Sequence, residues 1–378
     1  MARITPASLY EAQSFATAYM LPDARVAGVG STTLAASKYE KVNVYVAQEK
    51  DMWEVRGEVG GYETRPVFTG KIRKLAHLPD SAFMSHYRPS PGGVSIGPQD
   101  GSAGTFGITV FEKKTGKRYI LTNSHVAAGG GVAPIGSEIY QPALIDGGNR
   151  GQDMIGRLAR HVRLYQNGLA TPYVNQVDAA LVEPTVSEQI LDEILDMPQE
   201  VNEAIPPTVG RRAMISSRNG KRTGGVIIDN RATFKIAGYP QEIALNPTGE
   251  LTFYNCVILE PSLTAPGSSG GVFVDEIDTS KALGLNFAGS EQVSIANWIT
   301  SALELTNTTL EKEFVTGTDN LQELPAGMVI PQTDHEPPVI PDPTTTVGDY
   351  IWNTYLKPVL PIVGIAAAGG FFLWALTK

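Results

Sequence analysis

The chain alternates apolar and polar positions in short β-rich runs broken by turn residues. Residues 8–20 are an exception near the start, where the spacing predicts a short helix. VAGVGS and VNVYVAQE then follow the period of a half-buried strand, and GEVGGYETRPVFTGKI reads as turns and one more strand. These elements predict a small N-terminal appendage over residues 1–95, or leading strands packed on the main body. YRPSPGGVSIGPQDGSAG (87–104) is dense in glycine, proline and serine and reads as a linker or irregular loop. Next come TFGITVFE, RYILTNSHV, DAALVEP, GGVIID, LTFYNCVILE, GGVFVDE and ALGLNFAG, interrupted by one helix-like insert, SEQILDEILDM. Many short strands at such spacing predict an antiparallel sandwich or barrel.

The pattern shifts again near the end. Residues 323–349 are proline-rich, which favours an extended, semi-rigid tether. Residues 358–376 then carry no charge. At about 1.5 Å per residue this stretch nearly spans a hydrocarbon layer of about 30 Å. Tyr350, Trp352, Tyr355 and Lys357 precede it and Lys378 follows, as a membrane interface selects. The rival reading is a buried helix, which the two prolines and three glycines of the stretch disfavour. The expected division is an appendage at 1–95, a β body at 96–315, a proline-rich linker at 316–349 and a single-pass transmembrane anchor at 350–378.

Composition narrows the partners. A net charge of −9 with no basic run argues against a general nucleic-acid binder. The single cysteine, Cys256, permits no intramolecular disulfide and favours a reducing compartment; in NCVILEP it reads as a buried, inert thiol. No apolar h-region opens the chain, so no signal peptide is expected. The body is therefore expected in the cytosol, held to a membrane by its C-terminal segment. Lysines at both ends of that segment leave its orientation open, and nothing in the sequence sets an oligomeric state. No Cys/His ligand spacing occurs, so neither metal nor cofactor is expected.

The chemistry centres on TAPGSSGGVF (264–273). A serine hydroxyl becomes a nucleophile only with a base, an orienting group and donors for an oxyanion. Of five histidines, His125 alone follows a β-rich run and sits among small residues, in ILTNSHVAAGGG. Asp178 starts an apolar strand, where a carboxylate is costly to bury without a partner such as a histidine N–H. Asp146 and Asp153 are rivals, but their glycine-rich polar loops suggest solvation. His161 reads as part of an ordinary strand and loop, and Lys221 and Arg222 in GKRTGG as a solvated turn.

TNSHVAA, DAALV and PGSSGG, in this order, resemble the histidine, aspartate and nucleophile motifs of trypsin-like (chymotrypsin-fold) serine peptidases. A narrower likeness, to bacterial members with a segment like VAGVGS, runs over roughly residues 25–305 through YRPSPGGVSIG, AGTFG, IYQPALIDGG, IGRLARHV, GKRTGG and LGLNFAGS. The resemblance implies a mostly β fold of two six-stranded antiparallel barrels. It implies a serine endopeptidase acting on a protein or peptide, with Ser269 as nucleophile, His125 as base and Asp178 orienting it. It further implies an oxyanion hole from the N–H groups of Gly267 and Ser269, and a substrate pocket at Leu263, Ala288 and Gly289 that offers no charge. One departure stands out. The family usually carries an aspartate where this chain has Ser268, so the nucleophile turn is expected to be ordered by neutral hydrogen bonds or only when substrate binds. The competing expectations are a non-catalytic member serving as an anchored binding or structural module, and an esterase using the same three residues.

Overall fold

Ser8 starts the first helix, Leu9–Met20, with a capping box: Glu11 N donates to Ser8 Oγ and Ser8 N to the Glu11 carboxylate, both at 3.2 Å. Leu9, Ala12 and Ala16 on its inner face pack on Val29, Val42 and Val44 of the next strands. The structure is a computed structural model that describes residues 8–33, 40–55, 57–70, 72, 81–166, 175–244, 248–312 and 328–330. The protein is mostly β, as its pattern predicts, with two curled sheets carrying most of the strands.

In the larger sheet, six strands close a ring. Arg212–Ser217 pairs with Val272–Asp275, and Lys281–Gly289, Ser294–Trp298 and Leu251–Glu260 follow in turn. The long strand Gly220–Ile236 pairs back to Arg212–Ser217, and every pairing is antiparallel. The leading strands extend this same sheet: Val26–Thr33 pairs with Gly220–Ile236, Gly28 lying opposite Phe234. Glu40–Val46 and Tyr62–Phe68 continue it.

The glycines of VAGVGS make that junction possible. A Cβ on Gly28 would lie 2.5 Å from the Phe234 ring, and one on Gly30 would lie 1.9 Å from Asp229 Oδ2. Asp229 is fully buried at the junction and accepts from Arg231 N (2.8 Å), Tyr45 Oη (3.1 Å) and Asn43 Nδ2 (3.2 Å). Burial pushes its carboxyl up to about 7 in spite of these donors.

The other sheet orders Ile108–Glu112, Arg118–Thr122, Ala180–Pro184, Met154–Val162, Glu138–Tyr140, Ser95–Pro98 and Gly104–Thr105. Gly104–Thr105 runs on almost directly into Ile108–Glu112, so the sheet curls on itself. One apolar core spans the two sheets: Ile108, Leu121 and Leu181 pack with Val272, Leu285 and Ile299. Cys256 is buried and free, as its apolar run predicts.

Three expectations need correction. Residues 87–104 are not a linker, because Ser90–Gly92 and Ser95–Pro98 are buried strands. SEQILDEILDM is not a helix either: Ile190–Ile194 is a strand pairing parallel with Ser90–Gly92. Apolar residues four apart fit either period, and an available partner strand decided it. Within the expected linker 316–349, Val329–Ile330 pairs on His161 and Val162 and buries Ile330 in the core. Among the described residues no helix is long and apolar enough to cross a membrane. The span expected at 358–376 lies outside the described residues.

Candidate active site

Asp178 lies two residues before the strand Ala180–Pro184 begins and has no exposed surface. One carboxylate oxygen accepts from His125 N at 3.1 Å, and the other lies 2.7 Å from His125 Nδ1. His125 sits in the short helix Ser124–Ala127 that follows the strand Arg118–Thr122, so a strand end fixes each partner. The Asp178 backbone is held as well: Asn123 Nδ2 donates to its O at 2.7 Å, and its N donates to Asn297 Oδ1 at 2.9 Å.

A third donor reaches the carboxylate. Tyr239 Oη lies 2.6 Å from Asp178 Oδ2. Sequence reasoning missed this residue, and nothing in IAGYPQE marks it as special. Burial pulls the Asp178 carboxyl upward, but the charge of His125 and the hydrogen bonds from His125 and Tyr239 outweigh it and hold it below the usual carboxylate value. Burial and the Asp178 charge push the Tyr239 phenol far up, so it remains a donor.

The turn bearing Ser269 docks on the His125 side of the molecule. Thr105 N donates to Ser269 O at 2.7 Å, and Thr105 Oγ1 donates to Gly267 O at 2.9 Å. A Cβ on Gly104 would touch both Val126 (2.5 Å) and Ser269 O (3.0 Å), so the histidine turn and the serine turn crowd the same glycine. Ser269 Oγ is buried and makes no hydrogen bond, with His125 or otherwise. Among the described residues, neither Gly267 N–H nor Ser269 N–H donates within the protein.

Two networks order this turn. Ser268 Oγ accepts from Asn219 Nδ2 at 3.0 Å and meets Ser217 Oγ at 3.0 Å, while Asn219 Nδ2 also reaches Pro266 O at 2.6 Å. These are neutral hydrogen bonds at the position where the resemblance leads one to expect an aspartate. The second network is ionic. Arg218 is buried, and its Nε and Nη2 donate to the two oxygens of Asp146 at 2.6 and 2.5 Å. Gly267 has φ near +93°, and a Cβ there would lie 2.5 Å from Arg218 Nη1, so the guanidinium backs the turn directly.

The reading of Asp146 as solvated is therefore wrong: it is paired with Arg218 and also accepts from Ser95 Oγ. Asp153 is mostly buried too, 3.0 Å from His86 Nδ1 and accepting from Asn149 N. Glycine-rich loops hid both, because a side chain from the distant Arg218 or His86 supplies the partner. His161 is a buried strand residue, and burial lowers its pKa. Lys221 and Arg222 belong to the strand Gly220–Ile236 and not to a turn; Arg222 is exposed, while Lys221 is half-buried and its Nζ donates to Asp196 O.

Leu263 and Ala288 do not stand free around an open pocket. Leu263 packs with Ile227, Leu259 and Phe273, and Ala288 with Phe253, Phe287 and Ile295. Beside them lies a neutral hydroxyl cluster that the sequence did not announce, in which Ser294 Oγ meets Thr264 Oγ1 at 2.9 Å and accepts from Leu263 N at 2.9 Å. Gly289 lies against it, since a Cβ there would be 3.3 Å from Thr264 Oγ1. Among the described residues no cluster of His, Cys, Asp and Glu could hold a metal ion.

No protein-family model matches the sequence, and no curated protein matches it. Solved structures give a distant likeness to chymotrypsin-fold bacterial serine proteases over about three fifths of the chain. A glutamic acid specific serine protease aligns with 18% identity and a TM-score of 0.41, covering 58% of this chain and 98% of its own. Protease A of Thermobifida fusca aligns with 15% identity and a TM-score of 0.39, covering 58% and 97%. An alpha-lytic protease homolog, N4, aligns with 17% identity and a TM-score of 0.38, covering 59% and 99%.

Proposed function

We propose that the protein is a serine endopeptidase working through His125, Asp178 and Ser269. The observation that carries this reading is the pairing of a fully buried Asp178 with both N and Nδ1 of His125. Such an arrangement fixes the imidazole tautomer with Nε2 free to accept a proton. Ser269 Oγ would attack the scissile carbonyl while its proton passes to His125 Nε2. The carbonyl oxygen would take the charge between the unengaged N–H groups of Gly267 and Ser269. The proton then goes to the leaving amine, and water releases the acyl-enzyme. Uncharged surroundings at Gly289 and the Ser294 hydroxyl cluster, with Leu263 and Ala288 packed into the core beside them, favour an uncharged substrate side chain.

A fluorophosphonate probe tests this directly, because it marks only an activated serine. Labelling of the full-length protein, lost in Ser269→Ala and in His125→Ala but kept in Ser268→Ala, supports the reading. Labelling that survives Ser269→Ala rejects it. A peptide-against-ester substrate panel separates a peptidase from an esterase. The second reading, a non-catalytic binding module, is favoured by the missing hydrogen bond between Ser269 Oγ and His125. Hydrogen bonds of this kind often tighten only when substrate is bound. Absence of labelling would favour that module.

Attachment to a membrane through residues 358–376, with the body in the cytosol, is part of the same proposal. It rests on the uncharged stretch and its aromatic and lysine flanks. Full-length protein that resists carbonate extraction from membranes, together with an active soluble form lacking residues 346–378, supports it. Full-length protein that stays in solution without detergent rejects it.

A further inference from the structure

A cavity of about 300 Å³ opens between the first helix and the strands Val26–Thr33 and Glu40–Val46, and none of its lining residues belongs to the His125 site. Phe15, Met20, Val44 and Val55 give it apolar walls. Its volume lies at the small end of the range that ligand sites occupy. The charges in it do not balance. Asp23, Asp51 and Glu54 line it against one cation, Arg25. Arg25 is already engaged by two of them, at 2.6 Å to Asp23 and in a closer ion pair with Glu54.

Asp51 is left over. It is 4% exposed, and its Oδ2 is buried with no hydrogen-bond partner among the described residues. Burying a carboxylate oxygen without a donor is costly, and folding rarely tolerates it unless something else supplies the donor. Apolar walls beside a carboxylate with an unfilled hydrogen-bond acceptor, in a lining with three acidic side chains and one cation, suit one class of guest, an organic cation with an apolar body. We propose that this cavity binds a small organic ammonium ion, its N–H groups donating to Asp51 and its apolar part lying against Phe15, Met20 and Val44. A neutral analogue would leave Asp51 unanswered, and an anion would be repelled by the three carboxylates. The site is independent of any hydrolytic activity.

The test uses the purified protein and three probes of similar shape: 2-phenylethylammonium, 2-phenylethanol and 3-phenylpropionate. Binding is read by titration calorimetry and by the NMR signal of the Ala16 methyl group, which lines the cavity. Saturable one-to-one binding of the ammonium ion is expected, with the Ala16 methyl shifting in step. The alcohol should bind about tenfold or more weaker, the typical effect of losing a charge-assisted hydrogen bond, and the carboxylate weaker still. Asp51→Asn should bring the ammonium ion down to the level of the alcohol. Equal affinity for ammonium and alcohol, binding that leaves the Ala16 methyl unmoved, or no saturation up to about 10 mM ligand would each overturn the proposal. If Asp51→Asn does not fold, the probe comparison on the unmodified protein decides alone.

Discussion

Tyr239 Oη and Asp178 Oδ2 lie 2.6 Å apart, and the same carboxylate oxygen faces His125 Nδ1 at 2.7 Å. Asp178 is thus held from the strand-end histidine on one side and from a phenol of the other sheet's periphery on the other. Tyr239→Phe removes one donor to a buried charge, which costs about 1.5–3 kcal/mol. Chemical denaturation should show that loss. Fluorophosphonate labelling should slow in this variant, but by less than in Asp178→Asn, for which the triad reading implies roughly 10⁴. Unchanged stability in Tyr239→Phe would mean that the contact contributes nothing.

The Arg218–Asp146 pair behind Gly267 should behave as a coupled unit. Arg218→Met strands a buried carboxylate, and such losses run to about 3–5 kcal/mol. The double variant Arg218→Met with Asp146→Asn removes both charges and should be more stable than Arg218→Met alone. Denaturation of the two singles and the double gives the coupling directly. Simple additivity would show that the pair is not coupled.

Asp229 gives the seam between the leading strands and the ring a pH dependence of definite sign. Its folded value, about 7, lies above the unfolded value near 3.8. The folded state therefore holds the proton longer, and stability falls as pH rises from about 4 to about 7, then levels off. The full span corresponds to about 4 kcal/mol. Asp178 acts in the opposite sense, since its depressed value makes stability fall as pH drops below the ordinary carboxylate range. Asp229→Asn should flatten the pH 4–7 slope in denaturation experiments; an unchanged slope would assign it to another group.

Gly30→Ala should disturb the same seam through shape. Its new methyl would lie 1.9 Å from Asp229 Oδ2, inside a packed junction. Overpacking of this kind costs about 1–3 kcal/mol. Gly57→Ala, where nothing lies within 4 Å, serves as the neutral control. Equal melting temperatures for the two variants would contradict the packing at Gly30.

Much of this protein was legible in its pattern. The helix at 8–20, the strands at VAGVGS, VNVYV and LTFYNCVILE, and the buried Cys256 all follow from local periodicity and apolar content. The juxtaposition of His125 with Asp178 was legible too, for a chemical reason: a carboxylate at the start of an apolar strand needs a donor, and few were on offer. Ser268 likewise announced a turn without a carboxylate of its own, and neutral hydrogen bonds order it.

What the sequence determined by itself were the quantities that neighbours along the chain decide: which runs extend, where they turn, and which polar groups could not stay alone inside. Tertiary structure decided the rest. Ile190–Ile194 became a strand because Ser90–Gly92 lay open to pair with it. Asp146, solvated by every local sign, became half of a buried ion pair because Arg218 reaches it from 72 residues away. Tyr239 became a donor to Asp178, and Gly30 made room for Asp229, through contacts of the same long-range kind. Burial and partnership are properties of what folds against a residue, and a run of letters states only what that residue will require when it is covered.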